Sequence, residues 1–217
     1  MTKTAKLLTS SVGRKLVMAL TGIFLCSFLI VHLYINLFLF KSDSGQTFDV
    51  YSEFMATYPL IRPLEIVLFG GFLIHAIVGV WLWLANRLAR PARYEANAAS
   101  ENSPLSSRLA VFTGSIVFIF LVVHINTFFV QSRFFPTGKT MYELVANAFK
   151  NPLYDLFYVV AIGILGYHLK HGFQSACQTF GIRTARYKLL IDVIAIIFWL
   201  VIPLGFVAMP LYFLWAH

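Results

Sequence analysis

Four histidines lie in four different hydrophobic segments of this sequence: His32, His75, His124 and His168. An ionisable side chain in the interior of a bilayer is unfavourable by about 3 kcal/mol on insertion scales, so such residues usually mark function. Neutral imidazole is also a common metal ligand. Four histidines, one in each segment, predict two pairs that each supply two nitrogens to one metal centre. A haem held by two histidines meets that requirement.

The chain around these histidines has the composition of an integral membrane protein. Of its 217 residues, 59% are hydrophobic and 12% are charged, and one membrane-spanning helix needs about 20 apolar residues. The pattern predicts an all-α membrane protein with five spans in a single domain, residues 1–217, and the first four spans form the haem-binding bundle. The predicted spans are 15–40, 63–86, 109–132, 153–180 and 189–215. The segment Lys41–Tyr58 is predicted to be an outer loop.

The basic residues are distributed unevenly between the two sides of this five-span arrangement. The twelve on the first side are Lys3, Lys6, Arg14, Lys15, Arg87, Arg90, Arg93, Arg108, Lys170, Arg183, Arg186 and Lys188, and the five on the other are Lys41, Arg62, Arg133, Lys139 and Lys150. The positive-inside rule then places the N-terminus in the cytoplasm and the C-terminus outside. Because these residues flank helices and form no patch, we expect no nucleic-acid partner. A soluble protein or anionic lipid could dock on the basic cytoplasmic rim.

The depth of each histidine follows from the helical rise of about 1.5 Å per residue. His32 and His124 each lie nine residues before the first outer charge, Lys41 or Arg133, which is about 14 Å below the outer boundary. His75 and His168 lie 13 and 16 residues beyond Arg62 and Pro152, which is about 20–24 Å from that face. The depths therefore predict an outer pair, His32 with His124, and an inner pair, His75 with His168.

Short local patterns sort the histidines in the same way. In the two outward-running spans a Thr-Gly pair precedes the histidine, with the glycine ten residues before it: Thr21-Gly22 before His32, and Thr113-Gly114 before His124. In the two inward-running spans a glycine follows four residues after the histidine: Gly79 after His75, and Gly172 after His168. A glycine at that spacing shares the face of the histidine and leaves room for a flat macrocycle.

Other interpretations of these residues fit the sequence less well than haem ligation does. A single histidine in a membrane helix is more often a hydrogen-bonded bundle residue than a ligand, but four at matched depths favour ligation. Zinc or copper sites would add Cys, Asp or Glu at short spacing, and none accompanies these histidines. His171 could replace His168 as the ligand, but it lacks the glycine four residues on, so we interpret it as a contact of a haem propionate.

Three segments carry a resemblance to a known family. They are SVGRKLVMALTGIFLCSFLIVHLYIN, PLIRPLEIVLFGGFLIHAIVG and YHLKHGFQSACQTFG. Together they resemble the single-subunit, five-helix cytochrome b membrane anchor of succinate dehydrogenase and fumarate reductase, and the resemblance covers nearly the whole chain. It implies a multi-pass protein of the bacterial cytoplasmic membrane that binds two haems b. The matching axial ligands are His32, His75, His124 and His168.

The resemblance also implies partners and a substrate. A flavoprotein subunit and an iron–sulfur subunit would dock on the cytoplasmic side, and electrons would pass between them and a membrane quinone, menaquinone or another. For the outer quinone site, Glu53 is the nearest match and Glu65 the second candidate. Some members place a proton-carrying glutamate two residues before the histidine of the fourth span. That position is Gly166 in this chain, so this proton route does not transfer.

Two other functions stay open at the level of the sequence. The same haem sites could serve a hydrogenase, a formate dehydrogenase or an ascorbate-linked cytochrome b. Cytochromes of the bc type are disfavoured, because they place two ligands on each of two helices. A haem-free, proton-coupled carrier that uses histidine relays is the third possibility.

Overall fold

The computed structural model of this chain describes residues 10–88, 109–135 and 137–215, and all regular secondary structure in them is helical. Five helices are long and apolar enough to cross a membrane. They are α1 (Ser11–Phe40), α3 (Ile61–Leu88), α4 (Ala110–Phe134), α6 (Pro152–Thr179) and α7 (Lys188–Trp215). Two short helices, α2 (Gln46–Thr57) and α5 (Met141–Ala148), lie between them. The predicted all-α fold with five spans is therefore confirmed.

The ends of the long helices follow from local capping. The Ser10 hydroxyl accepts a hydrogen bond from the Gly13 amide at 3.0 Å, which starts α1 four residues before the predicted span. The Asn151 side chain accepts from the Leu153 amide at 3.0 Å, and Pro152 occupies the first turn of α6, where its missing N–H costs nothing. Beyond α6, Gly181 adopts a left-handed φ of +69°, which ends the helix.

The predicted outer loop Lys41–Tyr58 is wrong in part, because α2 occupies most of it. Hydrophobicity alone does not reveal this helix, which is short and amphipathic. It docks on α5, where the Asp49 carboxylate accepts a hydrogen bond from the Tyr142 amide at 2.7 Å. The Tyr142 ring lies so close to Gly45 that a Cβ there would be 2.1 Å from it. We call the end of the bundle that carries α2 and α5 the outer end.

The first four long helices form a four-helix bundle around the histidines. α1 packs along α3 and α6, α6 packs along α4, and α3 meets α4 over a smaller area. α1 and α4, like α3 and α6, face each other across the bundle without extensive packing. α7 packs against α6 and α1 from outside this bundle. Each predicted histidine pair therefore spans one diagonal of the bundle.

The outward faces of the long helices are apolar. Ile66 is 74% exposed and Leu189 is 79% exposed, as expected for side chains that contact lipid tails. α6 differs from the rest, because it is packed on several sides and carries nine buried residues. It is the central helix of the protein.

Candidate functional site

The structure brings the four histidines together in the two pairs that their depths predict. The ring centroids of His32 and His124 lie 5.8 Å apart with the rings at 88° to each other. Those of His75 and His168 lie 6.4 Å apart at 76°. Each pair joins two helices across a diagonal of the bundle, so the sites lie one above the other along its axis.

These distances match the geometry of one metal between two imidazoles. A metal–nitrogen bond of about 2 Å on each side places the two ring centroids roughly 6 Å apart. The described residues contain no group of three or more His, Cys, Asp or Glu side chains that could hold a metal. Two protein nitrogens per site suit a metal whose other ligands come from a macrocycle, and the residues therefore fit a haem.

Hydrogen bonds determine which nitrogen of each inner histidine is free. The Thr21 hydroxyl donates to the Val17 carbonyl at 2.8 Å, and its oxygen lies 3.2 Å from Nδ1 of His75. With its single hydrogen on that carbonyl, the hydroxyl is the acceptor in the second contact and the His75 ring is the donor. Nδ1 then carries the proton, and the lone pair on Nε2 is available to a metal.

The second inner histidine has the same environment. Thr113 donates to the Leu109 carbonyl at 3.0 Å, and its oxygen lies 3.2 Å from Nδ1 of His168. The glycine after each threonine lets the helices approach: a Cβ at Gly22 would lie 3.4 Å from the His75 ring, and one at Gly114 would lie 3.3 Å from the His168 ring. The Thr-Gly pairs therefore support the inner histidines across a helix–helix contact.

The outer histidines have different polar neighbours. His124 Nδ1 lies 3.1 Å from the hydroxyl of Tyr158. His32 Nδ1 lies 3.4 Å from the amide nitrogen of Asn36, which also donates to the His32 carbonyl at 2.7 Å. Nδ1 of His75, His124 and His168 thus faces a hydroxyl oxygen that can accept its hydrogen, as is usual for histidines that bind metal through Nε2, whereas the Asn36 amide nitrogen beside His32 can only donate.

Aromatic rings enclose the outer pair. Phe28 stacks on His32 with ring centroids 5.2 Å apart, and Phe206 of α7 lies 5.5 Å from the same ring. Phe120 and Phe128 flank His124 at 5.7 and 5.3 Å. Such packing excludes water and limits the orientations of both imidazoles.

The comparisons with known proteins point to one class of membrane subunit. The chain is 26% identical to the succinate dehydrogenase cytochrome b558 subunit of Bacillus subtilis (strain 168). The match extends over 180 residues, 78% of this chain and 83% of that relative. No family model matches the sequence, and no solved structure matches it. The similarity to the Bacillus protein supports the resemblance that the three sequence segments carry.

The glycines that follow the inner histidines differ in their surroundings. A Cβ at Gly172 would meet no atom within 4 Å, whereas one at Gly79 would lie 3.4 Å from the end of the Met18 side chain. Space beside His168 is therefore open, and space beside His75 is bordered by a flexible thioether. His171, the predicted propionate contact, is half-buried one turn after His168.

The two carboxylates predicted for the quinone site are in unlike environments. Glu65 forms an ion pair with Arg133, with the Arg133 Nη2 atom 2.9 and 3.2 Å from its two oxygens. Arg62 lies 3.4 Å from the same carboxylate. Glu53 is exposed on α2, and its carboxylate has no hydrogen bond or ion pair with another residue in the described ranges. Both glutamates lie at the outer end.

Gly166 has a structural reason to lack a side chain. A Cβ at this position would lie 2.7 Å from the Trp199 carbonyl oxygen and 3.3 Å from Pro203. Pro203 has no N–H to bond that carbonyl in an α-helix, and a π-helical segment, Ile197–Val201, occurs at this point of α7. The close approach of α6 and α7 leaves no room for the glutamate that some members of the resembled family place at this position.

Sequence reasoning missed the polar partners of the histidines. The Thr-Gly pairs were visible as a repeated pattern, but their contacts join residues 54 and 55 positions apart. Asn36 follows His32 by four residues, a spacing that signals a shared helix face. Tyr158 gave no such signal, because it reaches His124 from another helix.

Proposed function

We propose that this chain is the cytochrome b subunit that anchors a succinate:quinone oxidoreductase in the bacterial membrane and carries electrons through two haems b. The observation that carries the proposal is the two histidine pairs, whose ring centroids lie 5.8 and 6.4 Å apart, about the spacing of two imidazoles on one metal. The name and coverage of the Bacillus relative support the choice of complex. Haem b supplies one-electron chemistry at its iron when bound.

The protein residues have distinct tasks in this proposal. His32 and His124 hold the outer haem, and His75 and His168 hold the inner one. Thr21 and Thr113 orient the inner ligands by accepting their Nδ1 hydrogens. The aromatic rings around the outer pair keep water away from the iron, which tunes its potential. The chain itself has no role in succinate chemistry and serves as the membrane subunit of the enzyme.

The end of the bundle opposite α2 and α5, which we call the inner end, is the proposed docking face for the flavoprotein and iron–sulfur subunits. Basic residues collect at this end, including Arg14, Lys170 and Lys188, and the inner histidine pair is the nearer of the two. Electrons pass only between cofactors that lie close together, and an iron–sulfur subunit docked at this end would lie next to the inner haem. By the positive-inside rule the same end faces the cytoplasm.

The outer end is the proposed site of quinone chemistry, with Glu53 and Glu65 as its carboxylates. A quinol releases two protons when it is oxidised, and a carboxylate can accept one of them. Glu53 has the freer carboxylate, whereas Glu65 is neutralised by Arg133. We expect Glu53→Gln to lower quinone turnover with both haems retained, more than Glu65→Gln does. Full turnover in both variants would remove this site assignment.

Purification of the tagged chain from its native membranes tests the function directly. We expect a flavoprotein and an iron–sulfur protein to co-purify, with succinate:quinone activity and two haems b for each chain. A reduced-minus-oxidised spectrum without a b-type haem signal would favour the haem-free carrier. Co-purification of a hydrogenase or a formate dehydrogenase in place of the flavoprotein would keep the haems and overturn the choice of complex.

A further inference from the structure

A chain of hydroxyl groups leads away from one of the outer histidines. His124 Nδ1 lies 3.1 Å from the Tyr158 hydroxyl. That oxygen lies 3.0 Å from the Tyr154 hydroxyl, which lies 3.0 Å from Oγ1 of Thr127. Thr127 is in the π-helical segment Ile125–Val130, which begins directly after His124. Wider turns of this kind are frequent at functional sites.

Which group donates in each of these hydrogen bonds follows from the role of His124 as a haem ligand, an assignment that rests on the proposed function. If Nε2 of His124 binds iron, its ring hydrogen must be on Nδ1, so the ring donates to Tyr158. Hydroxyl groups rotate to suit their neighbours. Tyr158 can therefore donate to Tyr154, and Tyr154 to Thr127, so that each tyrosine hydroxyl accepts once and donates once.

Because Tyr158 is buried, its hydroxyl is the polar group that the Nδ1 atom of His124 contacts, in place of water. Tyr158 is 4% exposed, and its ring packs edge-to-face against Phe120 at 4.9 Å and Phe149 at 5.1 Å. Water has little access to a hydroxyl in such a position. Hydrogen bonds in a dry interior are electrostatically stronger than in water, and successive bonds polarise one another.

Among the described residues, no equivalent series of hydroxyl groups leads from the other outer histidine, His32. The Asn36 amide nitrogen, 3.4 Å from His32 Nδ1, is a hydrogen-bond donor and cannot accept a ring hydrogen. The two halves of the protein are related by a spacing of 92 or 93 residues between matching histidines. At that spacing the position that matches Tyr158 is Glu65, and the position that matches Asn36 is Phe128. The tyrosine contact is therefore a feature of the second half only.

We propose that Tyr158 is a positioning residue of the outer haem site, backed by Tyr154 and Thr127. It holds His124 in the Nδ1–H form, fixes the orientation of its ring and raises the electron donation of Nε2 to the iron. An acceptor on the far nitrogen of a ligating histidine makes the ligand more basic. Greater basicity stabilises ferric over ferrous iron, so the bond lowers the reduction potential of the outer haem.

The test compares three tyrosine-to-phenylalanine variants in the intact complex. Tyr158→Phe removes the acceptor and keeps the ring, and Tyr154→Phe removes the second hydroxyl. Tyr167→Phe is the matched control on the same helix, because no hydrogen bond of its hydroxyl is present within the described residues. Potentiometric titration of the haem absorbance gives the midpoint potential of each haem, and the inner haem is an internal control.

We expect Tyr158→Phe to weaken the ferric outer site about tenfold relative to the ferrous one, which raises its midpoint potential by about 59 mV. Tyr154→Phe should shift it in the same direction by less, and Tyr167→Phe should leave both haems unchanged. Selective loss of the outer haem in Tyr158→Phe would also support the role. An unchanged outer potential with full haem content, or equal shifts in both haems, would overturn it. Absence of haem from the unmodified complex would instead overturn the proposed function.

Discussion

At the scale of single residues, the threonines beside the inner histidines control which ring nitrogen carries the hydrogen. Each hydroxyl gives its hydrogen to a carbonyl of its own helix, so only its lone pair faces the imidazole. A valine has the same shape but no acceptor, and it would leave a buried ring N–H without a partner. Loss of a supporting residue of this kind typically lowers metal affinity by about 10- to 100-fold.

We therefore expect Thr21→Val or Thr113→Val to reduce retention of the inner haem about 10- to 100-fold. The outer haem should be unaffected in both variants. Haem content and the inner component of the difference spectrum measure the effect. Ser115→Ala is the control, because within the described residues the Ser115 hydroxyl bonds the Val111 carbonyl of its own helix alone. Valine variants that retain haem as well as this control would contradict the threonine role.

At the scale of helices, the sequence predicted the spans and the depth of each histidine but not the contacts between helices. Span bounds and depth depend on hydrophobicity and on a constant rise per residue, which are local properties. The helix α2 was missed because its amphipathic sequence is short and lies between charged residues. Tyr158 and the Thr-Gly contacts were missed because they depend on how two helices face each other, which no local pattern encodes.

The contact between α6 and α7 gives a prediction at this scale. Gly166→Ala should destabilise the protein by about 1–3 kcal/mol, since overpacking forces the Trp199 carbonyl or Pro203 to move. Gly163 on the same helix is the matched control, because a Cβ there would meet no atom within 4 Å. Gly163→Ala should be neutral or stabilising by up to about 1 kcal/mol from helix propensity. Equal melting temperatures of the two variants in detergent would show that α6 and α7 do not approach closely.

At the scale of the whole molecule, the chain consists of two similar halves followed by α7. His124 follows His32 by 92 residues, Thr113 follows Thr21 by 92, and His168 follows His75 by 93. Each half contributes two spans, one short helix at the outer end, and one histidine to each pair. The threonine supports of the inner pair are the same in both halves, whereas the polar contacts of the outer pair differ. On the proposed function, we therefore expect the two haems to differ in reduction potential.

The sidedness of the molecule is testable with single cysteines in a background without Cys26 and Cys177. We expect a membrane-impermeant maleimide to label Lys139→Cys from outside intact cells, because Lys139 lies at the outer end. Lys188→Cys, at the opposite end, should react only after the membrane is opened. The iron–sulfur subunit should protect Lys188→Cys and leave Lys139→Cys reactive. The reverse pattern of labelling would invert the topology and move the docking face to the outer end.

The most direct test of the two-haem arrangement is the reduced-minus-oxidised spectrum of single histidine variants in the assembled complex. Alanine at His32 or His124 should remove one haem component, and alanine at His75 or His168 should remove the other, because an apolar site offers the iron no replacement ligand. His171→Ala should retain both components and serves as the control. Loss of the same component in His32→Ala and His75→Ala would contradict the pairing and, with it, the two stacked haem sites.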